Sequence, residues 1–550
     1  MSGKGAIKNG KSLLIDWFKN PYNKIFLAIF VFGIFLRFYY FSLTHSQPLW
    51  WDEADYLAYA KNLAGLNSDW VVTQQHNSLF PALVSVFFML GLSESVAKLA
   101  LEIIPSILLI FLTYTISSKM YPDKRIALVS SFLMSVFWVI LFNSMRFHLE
   151  IPGLLLGFLS IYVFWQGYEK KDKIFGRINP KWAIPLTAFL VLLTYSLRRG
   201  YFLFGFFFLF YVLSTKKWKY LLKDKYNWIA VGFFLALFLI VENLVFTSPI
   251  EEVATTYLGL ENEINFLPFD VFKSYFLLTG TFLDVLFYLF WGGLIFLILR
   301  TGIFIGHIKT TKDPNIKADI FVILSIAITL AYFILIMRIP HIFGEPRWYL
   351  PLAFGTFICI ARGATFISDS VKKYNKYLAL IFLIGLIIIG GFYQLKRADY
   401  LIKNKAVSFE GIRQAGLFIK EISDENDVII SQPVPQTIYY SERNVLQPEQ
   451  ITGKTGKQYS IDDFMKGLAN NPRAKYLLIS FSEPGHPDWM VKTYSNNGVV
   501  YGWEIYFLDT RIDFSAQAQD VKQTKTFDNG ITFNLIGIKQ DVFIYEITRT

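Results

Sequence analysis

Apolar residues in this chain gather into long unbroken runs. They do not alternate as in a half-buried strand, nor do they form the stripe of a surface helix. Eleven runs approach the ~20 residues that a membrane-crossing helix needs. They are Ile25–Leu43, Val96–Ser118, Ile126–Phe142, Ile151–Tyr168, Trp182–Leu197, Tyr201–Ser214, Trp228–Phe246, Ser274–Leu299, Ile320–Met337, Trp348–Ile367 and Tyr377–Leu395. A further run, Leu79–Leu92, is shorter and holds Pro81 near its start.

The polar segments between the runs set a topology. If Leu79–Leu92 does not span, one set of loops is rich in Lys or Arg: Lys119–Arg125, Glu169–Lys181, Lys216–Lys225, Arg300–Lys317 and the stretch with Lys372, Lys373 and Lys376. Basic loops stay in the cytoplasm. Two loops of the opposite set are mostly acidic, with Asp52, Glu53, Asp55, Asp69 and Glu94 in one and Glu251, Glu252, Glu261, Glu263 and Asp270 in the other. Leu79–Leu92 is therefore read as a juxtamembrane or re-entrant helix on the outer face. The first run follows Lys4, Lys8, Lys11, Lys19 and Lys24. It is too long for a signal peptide and lacks a small-x-small cleavage site, so it reads as an uncleaved helix with a cytoplasmic N-terminus.

After Leu395 the pattern changes. Turn signals at Ser423–Asp427 and Asn496–Gly498 alternate with strand-like runs at Val428–Ile430, Tyr476–Ser480, Trp503–Leu508 and Val542–Ile547, preceded by a helix-like stretch at Gly411–Ile422. The expected architecture is an all-α polytopic membrane domain over residues 1–395, then a small extracytoplasmic α/β domain over 396–550.

Composition agrees with a bilayer as solvent. The chain is 54% hydrophobic and 17% charged, with 55 Phe, where a soluble chain carries about a quarter charged residues. The net charge of +11 is explained by cytoplasmic anchors, and nucleic acid is not an expected partner. Cys359 stands alone, which excludes an intramolecular disulfide and a cysteine-based zinc site.

Candidate chemistry concentrates just after the first run, in Leu49–Gly65. Asp52, Glu53 and Asp55 put three carboxylates within four residues at the membrane boundary, beside Trp50 and Trp51. Helical spacing puts Asp52, Asp55 or Tyr56, and Tyr59 on one face, and Gly65 is a natural stop. Two readings fit: Asp52 as a helix N-cap with Asp55 completing a capping arrangement, or an acidic pair that does chemistry.

Several elements occur in a telling order: Asp52-Glu53-Ala54-Asp55-Tyr56-Leu57-Ala58-Tyr59-Ala60, His76-Asn77-Ser78-Leu79-Phe80-Pro81, Leu92-Ser93-Glu94-Ser95-Val96-Ala97-Lys98-Leu99, Arg146-Phe147-His148-Leu149-Glu150-Ile151-Pro152, Arg347-Trp348-Tyr349-Leu350-Pro351 and Tyr439-Tyr440-Ser441-Glu442-Arg443. The ordered set resembles the GT-C glycosyltransferases of the protein O-mannosyltransferase and aminoarabinose transferase type. It departs from that pattern by lacking a Pro-Pro after His76 and by having Glu150 where the family usually has Asp.

The resemblance implies a plasma-membrane enzyme that moves a sugar, with inversion, from a polyprenyl-monophosphate carrier to an extracytoplasmic acceptor. By motif position Asp52 is the expected general base, with Glu53 holding the site or contacting the acceptor and Glu150 assisting. Arg146, Arg198, Arg199 and Arg347, all expected at the outer surface, would stabilise the departing phosphate, with His76 as a further partner. Asp55, Tyr56, Tyr59 and Tyr349 are candidate substrate contacts. Glu53, His76 and Glu150 are candidate ligands for a divalent Mg, Mn or Zn ion. His148 and His341 are weaker candidates. The competing reading is a transporter or flippase for a lipid-linked sugar, with Glu102, Glu242 and Asp284 as its intramembrane ionisable residues.

Overall fold

The computed structural model describes residues 17–66, 70, 77–246, 266–277, 283–311, 313–337, 345–454, 459–481, 483, 486–496, 499–514 and 520–549. His76 and His341 lie outside these residues, so the structure says nothing of either candidate. The chain divides into two compact units. One comprises residues 1–45, 74–79 and 94–403; the other comprises 46–73, 80–93 and 404–550.

The first unit is a helical bundle. Among the described residues of the chain, nine helices are long and apolar enough to cross a membrane. A tenth span is the pair Lys124–Val136 and Trp138–Ser144, bent by 47°. The expected span Tyr201–Ser214 is the shorter apolar helix Arg199–Thr215, and all eleven expected runs therefore have a helical counterpart. Two differ in extent. Within the run expected at Ser274–Leu299, a described helix begins at Val285, where the Asp284 side chain accepts the Leu286 N–H and caps it. The last one continues past Leu395 as a single helix, Lys376–Val407. At 1.5 Å per residue it is about 48 Å long, well beyond a hydrocarbon core of ~30 Å. Along this helix the change of unit falls between Lys403 and Asn404. Leu79–Met89 has 11 residues, about 16 Å, too short to cross.

The bend at Phe137 opens the backbone ladder of that span, and buried polar side chains close it again. Arg37, fully buried in the first span, donates to Met134 O at 3.0 Å and Ser135 O at 2.9 Å. Its Nε reaches Ser106 Oγ at 2.8 Å. On the other side of the break, Trp138 N–H donates to Gln394 Oε1 at 3.2 Å. Elsewhere the bundle relies on glycine: a Cβ at Gly293 would overlap the Cys359 carbonyl, and one at Gly363 would overlap the Leu289 carbonyl. This brings Val285–Ile303 and Ala353–Lys372 into backbone contact, a device common where helices pack in lipid.

The second unit holds the C-terminal α/β fold. Its six-stranded sheet has strand order β2-β1-β3-β9-β8-β7, with β1 Val428–Ser431, β2 Asn444–Leu446, β3 Ala474–Ser480, β7 Thr524–Thr526, β8 Ile531–Lys539 and β9 Val542–Arg549. β1 pairs in parallel with β2 and β3, and the remaining pairs are antiparallel. A separate three-stranded meander contains β4 Lys492–Asn496, β5 Val499–Ile505 and β6 Thr510–Asp513. The strand expected at Trp503–Leu508 ends at Ile505 and passes into a 3-10 turn. The short or polar strands β2, β4, β6 and β7 lack apolar runs, and β8, which has one, is a strand outside the expected set.

Candidate active site

The residues expected to act fall into two groups, one in each unit. In the second unit, the acidic stretch forms the helix Trp51–Leu63. Its N-cap is Trp50, which makes no side-chain cap bond, so Asp52 is not the cap. Asp52 and Glu53 lie in the first turn, where the helix dipole favours carboxylates. The helix closes where Gly65 turns left-handed at φ +71°.

Within this helix Asp52 and Tyr59 are half-buried, while Glu53, Asp55 and Tyr56 are buried. Asp55 Oδ1 accepts the Trp70 indole N–H at 2.7 Å, and Tyr56 packs edge-on against Phe80 at 5.6 Å. Asp55 and Tyr56 are thus engaged with the protein, whereas Asp52 and Tyr59 retain exposure. Glu53 meets Lys405, whose ammonium lies 3.2 Å from its Oε1. That ammonium also donates to Pro48 O at 3.1 Å and sits 4.8 Å above the Trp50 ring. One cation therefore ties three points of the segment entering the helix. Trp50 is fixed again by its indole N–H on Ser408 Oγ at 2.7 Å. Lys405 was missed in the sequence because 352 positions separate it from Glu53 and no motif contains it.

The Tyr439–Arg443 element packs on this same helix. Lys61 Nζ is 3.0 Å from Glu442 and 4.1 Å above the Tyr439 ring, and Tyr440 OH accepts the Leu49 N–H at 2.9 Å.

In the first unit the second group centres on Glu150, which is fully buried at the start of the helix Glu150–Phe164. Arg198 forms an ion pair with Glu150 Oε1, and Arg347 Nε lies 3.7 Å from the same oxygen. Arg347 Nη1 donates to His148 Nδ1 across 2.7 Å, and Glu345 pairs with Arg347 at 2.5 Å. His148 N–H donates to Glu102 Oε1 at 2.9 Å. Burial, reinforced by the charges of Arg146 and Arg347, pulls the His148 imidazole down to about 4 and keeps it neutral. The Arg198 and Arg347 side chains keep 23% and 11% of their surface exposed. A buried carboxylate thus gathers two partly exposed arginine side chains, and guanidiniums suit a phosphate.

Tyr201, Tyr275 and Tyr349 are buried around this group. Tyr201 OH donates to Glu150 O at 3.4 Å, Tyr275 OH donates to Pro346 O at 2.8 Å, and the Tyr349 ring lies 4.3 Å from that of Phe333. Sequence reading singled out only Tyr349 of the three; the other two lie in apolar runs without a motif.

Arg199 is drawn elsewhere. Its guanidinium pairs with Glu242 at 3.1 Å and lies 3.9 Å from the Phe246 ring, while Tyr195 OH bonds the same carboxylate. Arg146 is buried, with its guanidinium 5.4 Å from the Phe142 ring. Asp284 caps a helix and accepts from Gln394 at 2.8 Å. Glu102, Glu242 and Asp284 all have local structural bonds, which gives the transporter reading no specific support.

Of the expected metal ligands, the two described ones, Glu53 and Glu150, fit a cation poorly. Among the described residues, no group of three or more His, Cys, Asp or Glu could hold a metal ion. Glu53 faces an ammonium and Glu150 faces guanidiniums, so both carboxylates are already matched by positive charge.

No protein-family model matches the chain, and no curated protein is significantly similar to it. Solved structures do match in fold. The Archaeoglobus fulgidus oligosaccharyltransferase in complex with zinc and sulfate aligns with a TM-score of 0.56 at 11% identity, over 86% of this chain and 72% of that one. The same organism's oligosaccharyltransferase AglB, in complex with an inhibitory peptide and a dolichol-phosphate, gives 0.56 at 11% identity over 84% and 69%. ArnT from Cupriavidus metallidurans, bound to undecaprenyl phosphate, gives 0.55 at 9% identity over 95% and 97% of the two chains. The chain has the GT-C fold that these membrane glycosyltransferases share.

Proposed function

We propose that the protein is an inverting glycosyltransferase that takes its sugar from a polyprenyl-monophosphate carrier and delivers it to an extracytoplasmic hydroxyl. The observation that carries this reading is the Glu150 cluster, in which a buried carboxylate gathers the partly exposed side chains of Arg198 and Arg347. Neighbours of the same fold solved with dolichol-phosphate and undecaprenyl phosphate support a lipid phosphate as the anion.

In the proposed reaction Asp52 accepts the proton of the acceptor hydroxyl as its oxygen attacks the anomeric carbon. The bond between that carbon and the phosphate oxygen breaks, and its electron pair leaves with the polyprenyl phosphate. Attack opposite the leaving group inverts the anomeric centre. Arg198 and Arg347 stabilise the charge that grows on the phosphate. Arg146 contributes positive field beside them, and Asp55, Tyr56, Tyr59 and Tyr349 are assigned as substrate contacts. Arg199 serves the Glu242 pair. In an enzyme of this type with a divalent ion, the ion would supply Lewis-acid polarisation of phosphate oxygens. Of its candidate ligands, Glu53 and Glu150 are already matched by positive charge. The acidic loops and the C-terminal domain are assigned to the extracytoplasmic side, and the basic loops to the cytoplasm.

The test is transfer from radiolabelled polyprenyl-phosphate sugars by purified protein to crude envelope acceptors. Release of polyprenyl phosphate together with a labelled product supports the reading. Movement of intact labelled lipid across vesicles, with no product, replaces it with the transporter.

A further inference from the structure

We propose that the loop between the spans Glu150–Glu169 and Pro180–Leu197 is a binding site for the headgroup of an anionic phospholipid. The loop is built rather than slack. Lys170 N–H returns to Trp165 O at 3.0 Å and Asp172 N–H to Gln166 O at 3.1 Å. Ile174 and Ile178 exchange backbone bonds at 2.9 and 3.0 Å. The Ile174 side chain is fully buried with Val163 and Ala183, and Gly167 has no room for a Cβ between Ile174 and Ala183.

This anchored turn holds Phe175 outward. Its backbone is left-handed, at φ 51°, a conformation that a bulky residue adopts only when its surroundings impose it. The side chain is nevertheless 53% exposed. Its ring lies 5.4 Å from that of Tyr162, and the Lys119 ammonium sits 5.6 Å from the Tyr162 ring. Ile178 on the same turn and Trp182 at the start of the next span are also exposed.

The charge around this apolar tip is unbalanced. Lys119, Lys170, Lys171, Lys173, Arg177 and Lys181 make no ion pair among the described residues. Of the nearby acids, Glu169 is taken by Lys317 at 2.6 Å and Asp123 by Arg125 at 2.7 Å. Asp172 alone faces Lys119. The loop therefore presents mostly exposed cations on an anchored backbone around an outward aromatic ring, at the end of two membrane spans. A phospholipid supplies both complements at one depth, with phosphate for the lysines and interfacial apolar surface for Phe175. A soluble polyanion would leave Phe175 without a partner.

The experiment compares full-length protein in nanodiscs of phosphatidylglycerol and of phosphatidylcholine. It reads lipid retained in native mass spectrometry and the shift in thermal unfolding. Phosphatidylglycerol should be retained preferentially and should raise the unfolding temperature. Each of Lys170→Gln, Lys171→Gln and Lys173→Gln should weaken retention roughly five-fold. Phe175→Ser should weaken it further, and Phe175→Leu should preserve it. If a variant is not recovered folded, salt decides on the wild type: retention must fall as ionic strength rises. Equal retention of the two lipids, salt-independent retention or an unchanged lysine series overturns the proposal. So does full displacement of the lipid by inorganic phosphate, which would make this a small-anion site.

Discussion

Lys405 and Glu53 form an ion pair of 3.2 Å with both side chains out of contact with solvent. Breaking a buried pair from one side strands the other charge, at a cost of about 3–5 kcal/mol. Lys405→Met should therefore destabilise the protein by about that amount. Lys405→Met combined with Glu53→Gln should recover most of the loss, because no buried charge is then left alone. Thermal unfolding of the four proteins of this cycle measures the coupling. A double variant as unstable as Lys405→Met would mean that the pair does not act as a unit.

Asp52 is in the first turn of its helix, is not the N-cap and keeps part of its surface exposed. Asp52→Asn should leave the fold and donor binding in place and lower transfer by about 10²–10⁴, the range typical of a lost general base. Single-turnover transfer alongside a donor-binding isotherm separates the two effects. Wild-type turnover in the variant would move the base elsewhere.

Arg198 and Arg347 share Glu150. If they stabilise a leaving phosphate, Arg347→Gln and Arg198→Gln should each lower kcat by about 10²–10³. Lysine at either position should restore little, since it lacks the two-pronged guanidinium. Arg199→Gln should act mainly on stability through Glu242. Steady-state kinetics with varied donor, combined with melting curves, sort these outcomes.

The neutral state of His148 gives stability a pH dependence. In the unfolded chain its imidazole titrates near 6.5, and in the fold near 4. Between those values the unfolded chain binds more protons, so acidification favours unfolding. Stability should be at its full value above pH 6.5 and fall progressively toward pH 4, by on the order of 3 kcal/mol for this group. His148→Gln should flatten that part of the profile, measured as unfolding temperature against pH in detergent.

The membrane spans were legible because bilayer crossing demands long apolar runs, and each of the eleven has a helix. The sequence could not show that a helix would start at Val285, because that depends on one capping carboxylate, Asp284. Nor could it show the bend at Phe137, which has no proline and is held by Arg37 from another span. Strands β1, β3 and β9 announced themselves by apolar runs, whereas β2 and β7 are three-residue strands defined by their neighbours. At the candidate site, motif order marked Asp52, Glu53, Glu150 and Arg347. Lys405, Tyr201 and Tyr275 were invisible because their significance lies in contacts distant in sequence. Arg198 and Arg199 are neighbours in sequence with opposite fates, decided by which carboxylate each reaches.

Cys359 is fully buried, and its backbone carbonyl faces Gly293. The natural chain thus arrives with its one thiol shielded from reagents. Cysteines introduced singly at Lys171 and at Lys454 could be tagged with a membrane-impermeant maleimide in intact cells, without first removing a native thiol. Labelling at Lys454 alone would fix the orientation of the chain in the membrane, and labelling at Lys171 alone would reverse it.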